Sequence, residues 1–159
     1  MAAVVNNLLV KLLEMSRQKE KLMHEILQTG ERLAGAGDDW ELVDKLLAAR
    51  QKYMDEIDGL DRQIENLKQK IAAFAGAGSW KDVGVRHAEA VNMLEDTWRR
   101  SAEMAVEAKR LTDKSREQVE KKLKELQQNM KKLQSSKPGL AAYHKKPKQN
   151  SGYFLDQKK

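Results

Sequence analysis

Cysteine is absent from this 159-residue chain, and aromatic residues, proline and glycine are few. A chain without a thiol cannot form a disulfide framework, an iron–sulfur cluster, a cysteine-ligated zinc site or a thiol nucleophile. Aromatic residues make up only 5% of the chain and β-branched residues are sparse, which argues against a sheet. The abundant residues are Leu, Ala, Glu, Lys, Gln and Met, which lose little rotamer freedom in a helix. The composition therefore predicts a single all-α domain.

Long hydrophobic runs are also missing. No stretch approaches the roughly 20 uninterrupted apolar residues that a membrane span requires. The amino-terminal sequence lacks the basic flank and the small-residue cleavage site of a secretory signal. We therefore expect a soluble cytoplasmic protein with no stable membrane insertion.

The net charge of +6 is concentrated near the carboxyl end. Residues 137–159 hold six lysines and one aspartate, a net charge of +5, which leaves +1 for residues 1–136. The body carries no basic stripe with interleaved aromatic residues, so we expect no nucleic-acid partner. Binding of nucleic acid through the basic tail alone would show a steep dependence on salt.

Glycine divides the chain into segments, because both prolines lie after residue 137. A Gly-Ala-Gly sequence occurs at residues 35–37 and again at 76–78, and each is followed by a residue able to cap a helix. Capping-box spacing pairs Asp38 with Glu41 and Ser79 with Asp82. These signals predict helices near 5–34, 38–75 and 80–135, in a helical domain over 1–136 followed by a flexible, irregular basic tail over 137–159.

The apolar pattern predicts how the helices pack. In the second helix, apolar residues alternate at steps of four and three, the spacing of a coiled-coil seam: Tyr53, Ile57, Leu60, Ile64, Leu67, Ile71 and Phe74. The short link from the first helix must reverse the chain, so we expect a long antiparallel hairpin plus a long third helix in a three-helix bundle. A third helix of that length would extend roughly 84 Å at 1.5 Å per residue, farther than the hairpin can cover. We expect either a bend at residues 111–115 or another partner for the distal half, in a dimer or a different chain.

Residue patterns that support catalysis are missing. The Gly-Ala-Gly turns follow helices and lack the Gly-Lys-Ser/Thr ending of a phosphate loop. His24 has Glu20 and Gln28 one turn away but no second histidine at metal-binding spacing. The acids of the second helix are expected to form a solvated ion-pair surface, in which Asp55 has three bases nearby: Arg50, Lys52 and Arg62. We therefore predict a binding protein rather than an enzyme, with no cofactor and no bound metal.

The three tryptophans have different expected roles. Trp40 and Trp80 each lie close behind a capping position, where an indole can pack across the end of the hairpin. Trp98 lies in the third helix near Ser101 and Ala105. Its ring either fills the gap beside these small residues or remains available to a partner, and the sequence leaves both possibilities open.

Two parts of the chain resemble the FlgN family of flagellar export chaperones. One is Leu46-Leu-Ala-Ala-Arg-Gln-Lys-Tyr-Met-Asp-Glu-Ile-Asp-Gly-Leu-Asp61, and the other is the ending in which a tyrosine precedes Ser-x-x-Phe-Leu-Asp-x-Lys. The resemblance implies a cytosolic chaperone that binds the carboxy-terminal helices of flagellar hook-associated proteins. Such a chaperone prevents premature assembly and delivers its client to the flagellar export apparatus. A filament-cap chaperone of the related FliT type and a structural dimeric coiled coil, a possible homodimer, are the alternatives.

The predicted interaction residues form two groups. The apolar seam beyond the expected reach of the hairpin, together with the third tryptophan, is predicted to bind the client: Trp98, Val119, Leu123, Leu126, Met130 and Leu133. The resemblance implies that a tail tyrosine contacts the export gate, and the apolar residues of the tail are the candidates: Tyr143, Tyr153, Phe154 and Leu155. Folding of the tail back onto the helices is the alternative use of these residues.

Overall fold

All secondary structure in the computed structural model, which describes residues 2–136, is helical. The helices are α1 (Ala2–Gly35), α2 (Trp40–Phe74), α3 (Trp80–Arg86) and α4 (Ala88–Ser136). The predicted all-α class is thereby confirmed. The predicted tail over 137–159, with its expected flexibility, lies outside the described residues.

Glycine in the left-handed conformation reverses the chain at both predicted turns. Gly37 has φ of 58° after α1, and Gly76 has φ of 61° after α2. A side chain is disfavoured at such a φ because its Cβ crowds the neighbouring carbonyl oxygen. The predicted role of glycine at these helix ends is confirmed.

One predicted cap is confirmed and the other is wrong by one residue. Ser79 caps α3: its Oγ accepts a hydrogen bond from the Asp82 backbone N–H and donates one to the Asp82 carboxylate. Before α2 the cap is Asp39 rather than Asp38, and its Oδ1 accepts from the Leu42 N–H at 3.1 Å. The shift arises because a backbone turn, from the Asp39 N–H to the Ala36 carbonyl, delays the start of α2.

The predicted third helix is two helices. The chain leaves helical geometry at His87 (φ −130°, ψ 48°), which separates the seven residues of α3 from the 49 residues of α4. The break allows both Val83 and Val91 to be buried, with Gly84 close enough that an added Cβ would lie 3.5 Å from Val91 Cγ1. No break occurs at residues 111–115, which remain helical within α4.

Two buried clusters hold the helices of the amino-terminal part together. The larger joins α1, α2, α3 and α4 through Val5, Leu9, Leu12, Met15, Ile64, Leu67, Ile71, Val83, Val91 and Leu94. The smaller contains Met23, Ile26, Ile57 and Ala108. Later residues of α1 therefore contact earlier residues of α2, and the Lys19–Asp61 ion pair at 2.6 Å follows the same order. Phe74, the last member of the predicted seam, is exposed.

The chain divides into two compact units, Met1–Ser115 and Arg116–Lys159, and the division falls inside α4. Both buried clusters belong to the first unit. In the second unit, residues 116–136 form the carboxy-terminal part of α4, and every one of them is exposed. The predicted domain boundary between residues 136 and 137 stays a prediction, since its far side lies outside the described residues.

Candidate interaction surface

Five large apolar side chains lie exposed along the carboxy-terminal part of α4. Val119, Leu123, Leu126, Met130 and Leu133 follow one another at steps of four, three, four and three residues, and each is between 50% and 57% exposed. On an α-helix this spacing places them in one row. We call this row the α4 stripe. All five were predicted from the sequence to bind the client.

Sequence explains why this segment is helical. Residues 116–136 contain no glycine or proline and only one β-branched residue, Val119. A fully exposed helix of this length gains little from its own packing, and short isolated helices are marginal in water. A partner that covers the α4 stripe would therefore stabilise the segment as well as bind to it.

The positions beside the α4 stripe include charged and uncharged residues. In the heptad that the stripe defines, the flanking positions hold Glu120, Lys122, Gln127, Asn129 and Gln134. Residues 116–136 as a whole contain six basic and three acidic residues, a net charge of +3. The five apolar side chains can therefore contact the apolar face of a partner helix. The net positive charge of residues 116–136 favours a partner that is acidic.

The apolar area still available is large enough to matter for binding. Completing the burial of five side chains that are about half exposed would contribute on the order of 4–7 kcal/mol before the costs of association. Those costs are several kcal/mol or more. The α4 stripe alone thus suits a reversible complex rather than a permanent one.

Trp98 belongs to the first unit, whereas the α4 stripe belongs to the second. The half-buried Trp98 ring packs against the larger cluster, and its Nε1–H donates a 2.8 Å hydrogen bond to the Oγ of fully buried Ser16. Of the two roles that the sequence leaves open, these contacts favour core packing. Ser16 begins a run of five polar residues in α1, residues 16–20, yet it is fully buried.

A lysine of α2 lies close to two neighbouring indoles at the edge of the larger cluster. Trp80 and Trp98 have ring centroids 5.7 Å apart, and Lys68 Nζ lies 5.7 Å from the first centroid and 5.1 Å from the second. This geometry allows a cation–π interaction with each ring. Trp80 packs as predicted, although its buried Nε1 has no hydrogen-bond partner among the described residues.

Trp40 does not pack as predicted, since 66% of it is exposed. It precedes buried Leu46 by six residues, a spacing that rotates it about 120° from the buried face of α2. Leu47 and Met54 follow Trp40 at intervals of seven and are also exposed. This second exposed row was not predicted from the sequence, although the repeated interval of seven is present there.

Several ion pairs lie on the surface of the first unit. Glu20 accepts two hydrogen bonds from Arg100, and this interaction raises the pKa of Arg100. Glu107 accepts two from Arg110, which lowers the pKa of Glu107 below its usual value. These exposed pairs orient side chains within and between helices and contribute little stability each.

The acidic side of α2 differs from the predicted ion-pair surface. Arg50 donates a 2.8 Å hydrogen bond to Thr112 Oγ1. Asp55 accepts from Gln51 Nε2. In the described part of the chain Asp55 forms no ion pair with any of the three nearby bases, and Arg50 bonds to α4 instead.

The described part of the chain contains neither a clustered set of metal ligands nor a membrane-spanning helix. Residues 2–136 bring together no group of three or more His, Asp or Glu side chains that could hold a metal ion. None of the helices in this range combines the length and apolarity needed to cross a bilayer. His24 lies on the surface and shares a hydrogen bond with Gln28.

The residues predicted to contact the export apparatus lie outside the described residues: Tyr143, Tyr153, Phe154 and Leu155. Comparisons with protein-family models, with curated proteins and with solved structures find no match for this chain. The resemblance to the FlgN family stays a prediction from the sequence. Support for a function therefore comes from the residues of α4 and their surroundings.

Proposed function

We propose that this protein is a cytoplasmic binding protein that holds an amphipathic helix of a client on the α4 stripe. Its architecture in this proposal is an antiparallel α1–α2 hairpin joined by α4 in a helical bundle. The observation that carries the proposal is the row of five apolar side chains at coiled-coil spacing, each at least half exposed. An apolar row on a helix is most effectively covered by the apolar face of another helix.

The client class follows from the resemblance to flagellar export chaperones. In this proposal the client is the carboxy-terminal helix of a hook-associated protein, which is kept from premature assembly until export. Helix-in-groove binding supports this assignment, because burying the apolar rows of both helices keeps either from associating with other proteins. We assign no reaction and no cofactor to the protein.

The tail has a separate role in the proposal. We infer that residues 137–159 contact the flagellar export apparatus through one or more of Tyr143, Tyr153, Phe154 and Leu155. The supporting observation is compositional: these apolar side chains stand in a segment that otherwise carries a net charge of +5. Apolar residues within a polar segment are typical of short docking motifs.

Calorimetric titration with a client peptide tests the client role. The probe is a synthetic carboxy-terminal peptide of a hook-associated protein, compared with the equivalent peptide of a filament-cap protein. We expect saturable binding of the first that is lost on Leu123→Glu or Leu126→Glu. Val106→Glu is the matched control, since Val106 is exposed on α4 outside the α4 stripe.

The outcomes separate the alternatives. Binding of only the filament-cap peptide would replace the client with that of a FliT-type chaperone. Binding of neither peptide would contradict the chaperone proposal. Equal loss of binding in the Val106→Glu control would show that the effect is not specific to the α4 stripe.

A further inference from the structure

A second exposed row lies along α2 and mixes apolar with acidic residues. Trp40, Asp44, Leu47, Gln51, Met54 and Asp58 follow one another at steps of four, three, four, three and four, and all six are exposed. We call this row the α2 ridge. It extends about 27 Å at 1.5 Å per residue.

The surroundings of the α2 ridge are acidic. Residues 38–58 contain seven acidic and three basic residues, a net charge of −4. The carboxylates of Asp44 and Asp58 form no ion pair with any residue in the described part of the chain. Exposed apolar side chains beside such carboxylates suit a partner that is both apolar and basic.

The described part of this same chain contains a surface with those properties. Arg116 precedes Val119 by three residues and extends the row of the α4 stripe to about 26 Å, close to the length of the α2 ridge. Residues 116–136 carry a net charge of +3, opposite in sign to that of residues 38–58. The two rows therefore match in length, in helical spacing and in charge.

We propose that two copies of this protein associate by packing the α2 ridge of each copy against the α4 stripe of the other. In a two-subunit exchange each copy gives one surface of each kind and receives one, so both surfaces of both copies are covered. A parallel pairing of two α4 stripes is less favourable, since it would bring together two segments of like charge.

This inference rests on the proposed function, because it assigns an occupant to the α4 stripe when no client is bound. The client and the second copy then compete for the same five apolar side chains. Self-association would cover the apolar row in the absence of client, and client binding would release monomers. The concentration of free client thus sets the fraction of dimer.

Sedimentation equilibrium of the full chain with charge-reversed variants tests the proposal. We expect the wild-type mass to rise from one copy to two with protein concentration. Variant D44K/D58K alters the α2 ridge and variant R116E/K122E alters the side of the α4 stripe, and each should raise the dimer dissociation constant about tenfold or more. An equimolar mixture of the two variants should dimerise more tightly than either alone, since it restores opposite charges across a contact.

Variant E14K/E95K is the matched control. It changes the net charge by the same amount as D44K/D58K, at two exposed carboxylates away from both rows. It should dimerise like the wild type. Circular dichroism checks that all the variants remain helical. Since every altered side chain is exposed, we expect no loss of helical signal.

Three results would overturn the inference. The first is a wild-type chain that remains monomeric across the concentration range. The second is a mixture of the two variants that associates no better than its components, and the third is a control that weakens the dimer equally. Titration of D44K/D58K with the client peptide tests the client role separately. If the peptide still binds but the wild-type chain forms no dimer, only the proposed self-association is refuted.

Discussion

A single hydrogen bond joins a buried serine of α1 to a half-buried tryptophan of α4. Ser16 is fully buried, and its Oγ accepts a hydrogen bond from the indole N–H of Trp98, 82 residues later. Burying a hydroxyl and an indole nitrogen is costly unless they bond to each other. The pair therefore fixes α4 against α1 with a geometry that apolar contacts alone would not specify.

Replacing Ser16 by alanine should leave the Trp98 N–H without its acceptor. We expect a loss of about 1–2 kcal/mol in the free energy of unfolding, together with a shift in tryptophan emission. Urea unfolding followed by circular dichroism measures the loss. Ser135→Ala, at an exposed position of α4, is the control and should change stability by less than about 0.5 kcal/mol. Equal stability of Ser16→Ala and wild type would contradict the role of this bond.

Gly→Ala substitution should lower stability at the two turn glycines and raise it at a glycine inside a helix. Gly37→Ala and Gly76→Ala each force a side chain into a left-handed conformation, and we expect destabilisation of about 1 kcal/mol for each. Gly59→Ala, inside α2 with open space around the new Cβ, should instead stabilise by about 0.5–1 kcal/mol. Thermal unfolding of the three variants checks the sign. A stabilising substitution at Gly37 or Gly76 would show that the turns differ from those described.

At the scale of the helices, α4 uses the same apolar spacing in two different ways. In the first unit it contributes small or polar buried residues, such as Ser101 and Ala108, to a face covered by other helices. In residues 116–136 it carries large side chains that remain exposed. Small residues allow helices to approach closely, whereas a row of large exposed ones suits an incoming partner.

The Glu107–Arg110 pair of α4 should give a pH-dependent signature. The hydrogen bonds from Arg110 lower the pKa of the Glu107 carboxyl, so ionised Glu107 favours the folded helix. This contribution is present above the unfolded-state pKa and is lost as pH falls through the folded-state pKa. NMR titration should find the pKa of Glu107 below its usual value. Arg110→Gln should raise it.

A distant arginine serves as the control for that titration. Arg99 pairs with Asp96 and Glu103 rather than with Glu107, so Arg99→Gln should leave the pKa of Glu107 unchanged. If Arg110→Gln had no effect on Glu107, the hydrogen bonds seen here would not persist in solution. An equal effect of both variants would indicate a general change in charge instead.

For the whole molecule, the buried core and the proposed client-binding surface lie in different units. Every member of the two buried clusters precedes residue 109, so the first unit contains its own core. The second unit contributes the exposed α4 stripe, and its residues 137–159 carry the predicted export contact. Mutations in the buried clusters are therefore expected to affect folding, and those in the second unit to affect binding of the client or of the export apparatus.

Two truncations test this division. Ending the chain after residue 136 should preserve the helical signal and the unfolding midpoint while weakening contact with the export apparatus. Ending it after residue 115 should also preserve cooperative unfolding of the first unit, but it should abolish client binding because the α4 stripe is gone. Thermal unfolding and peptide titration measure the two properties. Loss of cooperative unfolding in the shorter chain would show that residues 116–136 are needed for the core.

Local sequence features predicted the helices and turns, because helix propensity and left-handed glycine depend on neighbouring residues. The all-α class, the two glycine turns, the Ser79 cap and most of the α2 seam could be read in this way. The α4 stripe was also predictable, since its spacing is complete within 15 residues. Its exposure was expected from the length of the third helix, although that helix is interrupted at His87.

Only the tertiary structure decided which residues of each pattern are covered. Ser16 is buried because Trp98 of α4 packs against it. Arg50 donates to Thr112 rather than to the nearby acids because α4 brings this hydroxyl within hydrogen-bond distance. Trp40 remains exposed because its position lies about 120° around α2 from buried Leu46, outside the face that the other helices cover. The first two outcomes depend on contacts between residues more than 60 positions apart in the chain, and the third depends on which face of α2 is covered. Local spacing determines the faces of a helix, whereas the packing of the other helices determines which face is buried.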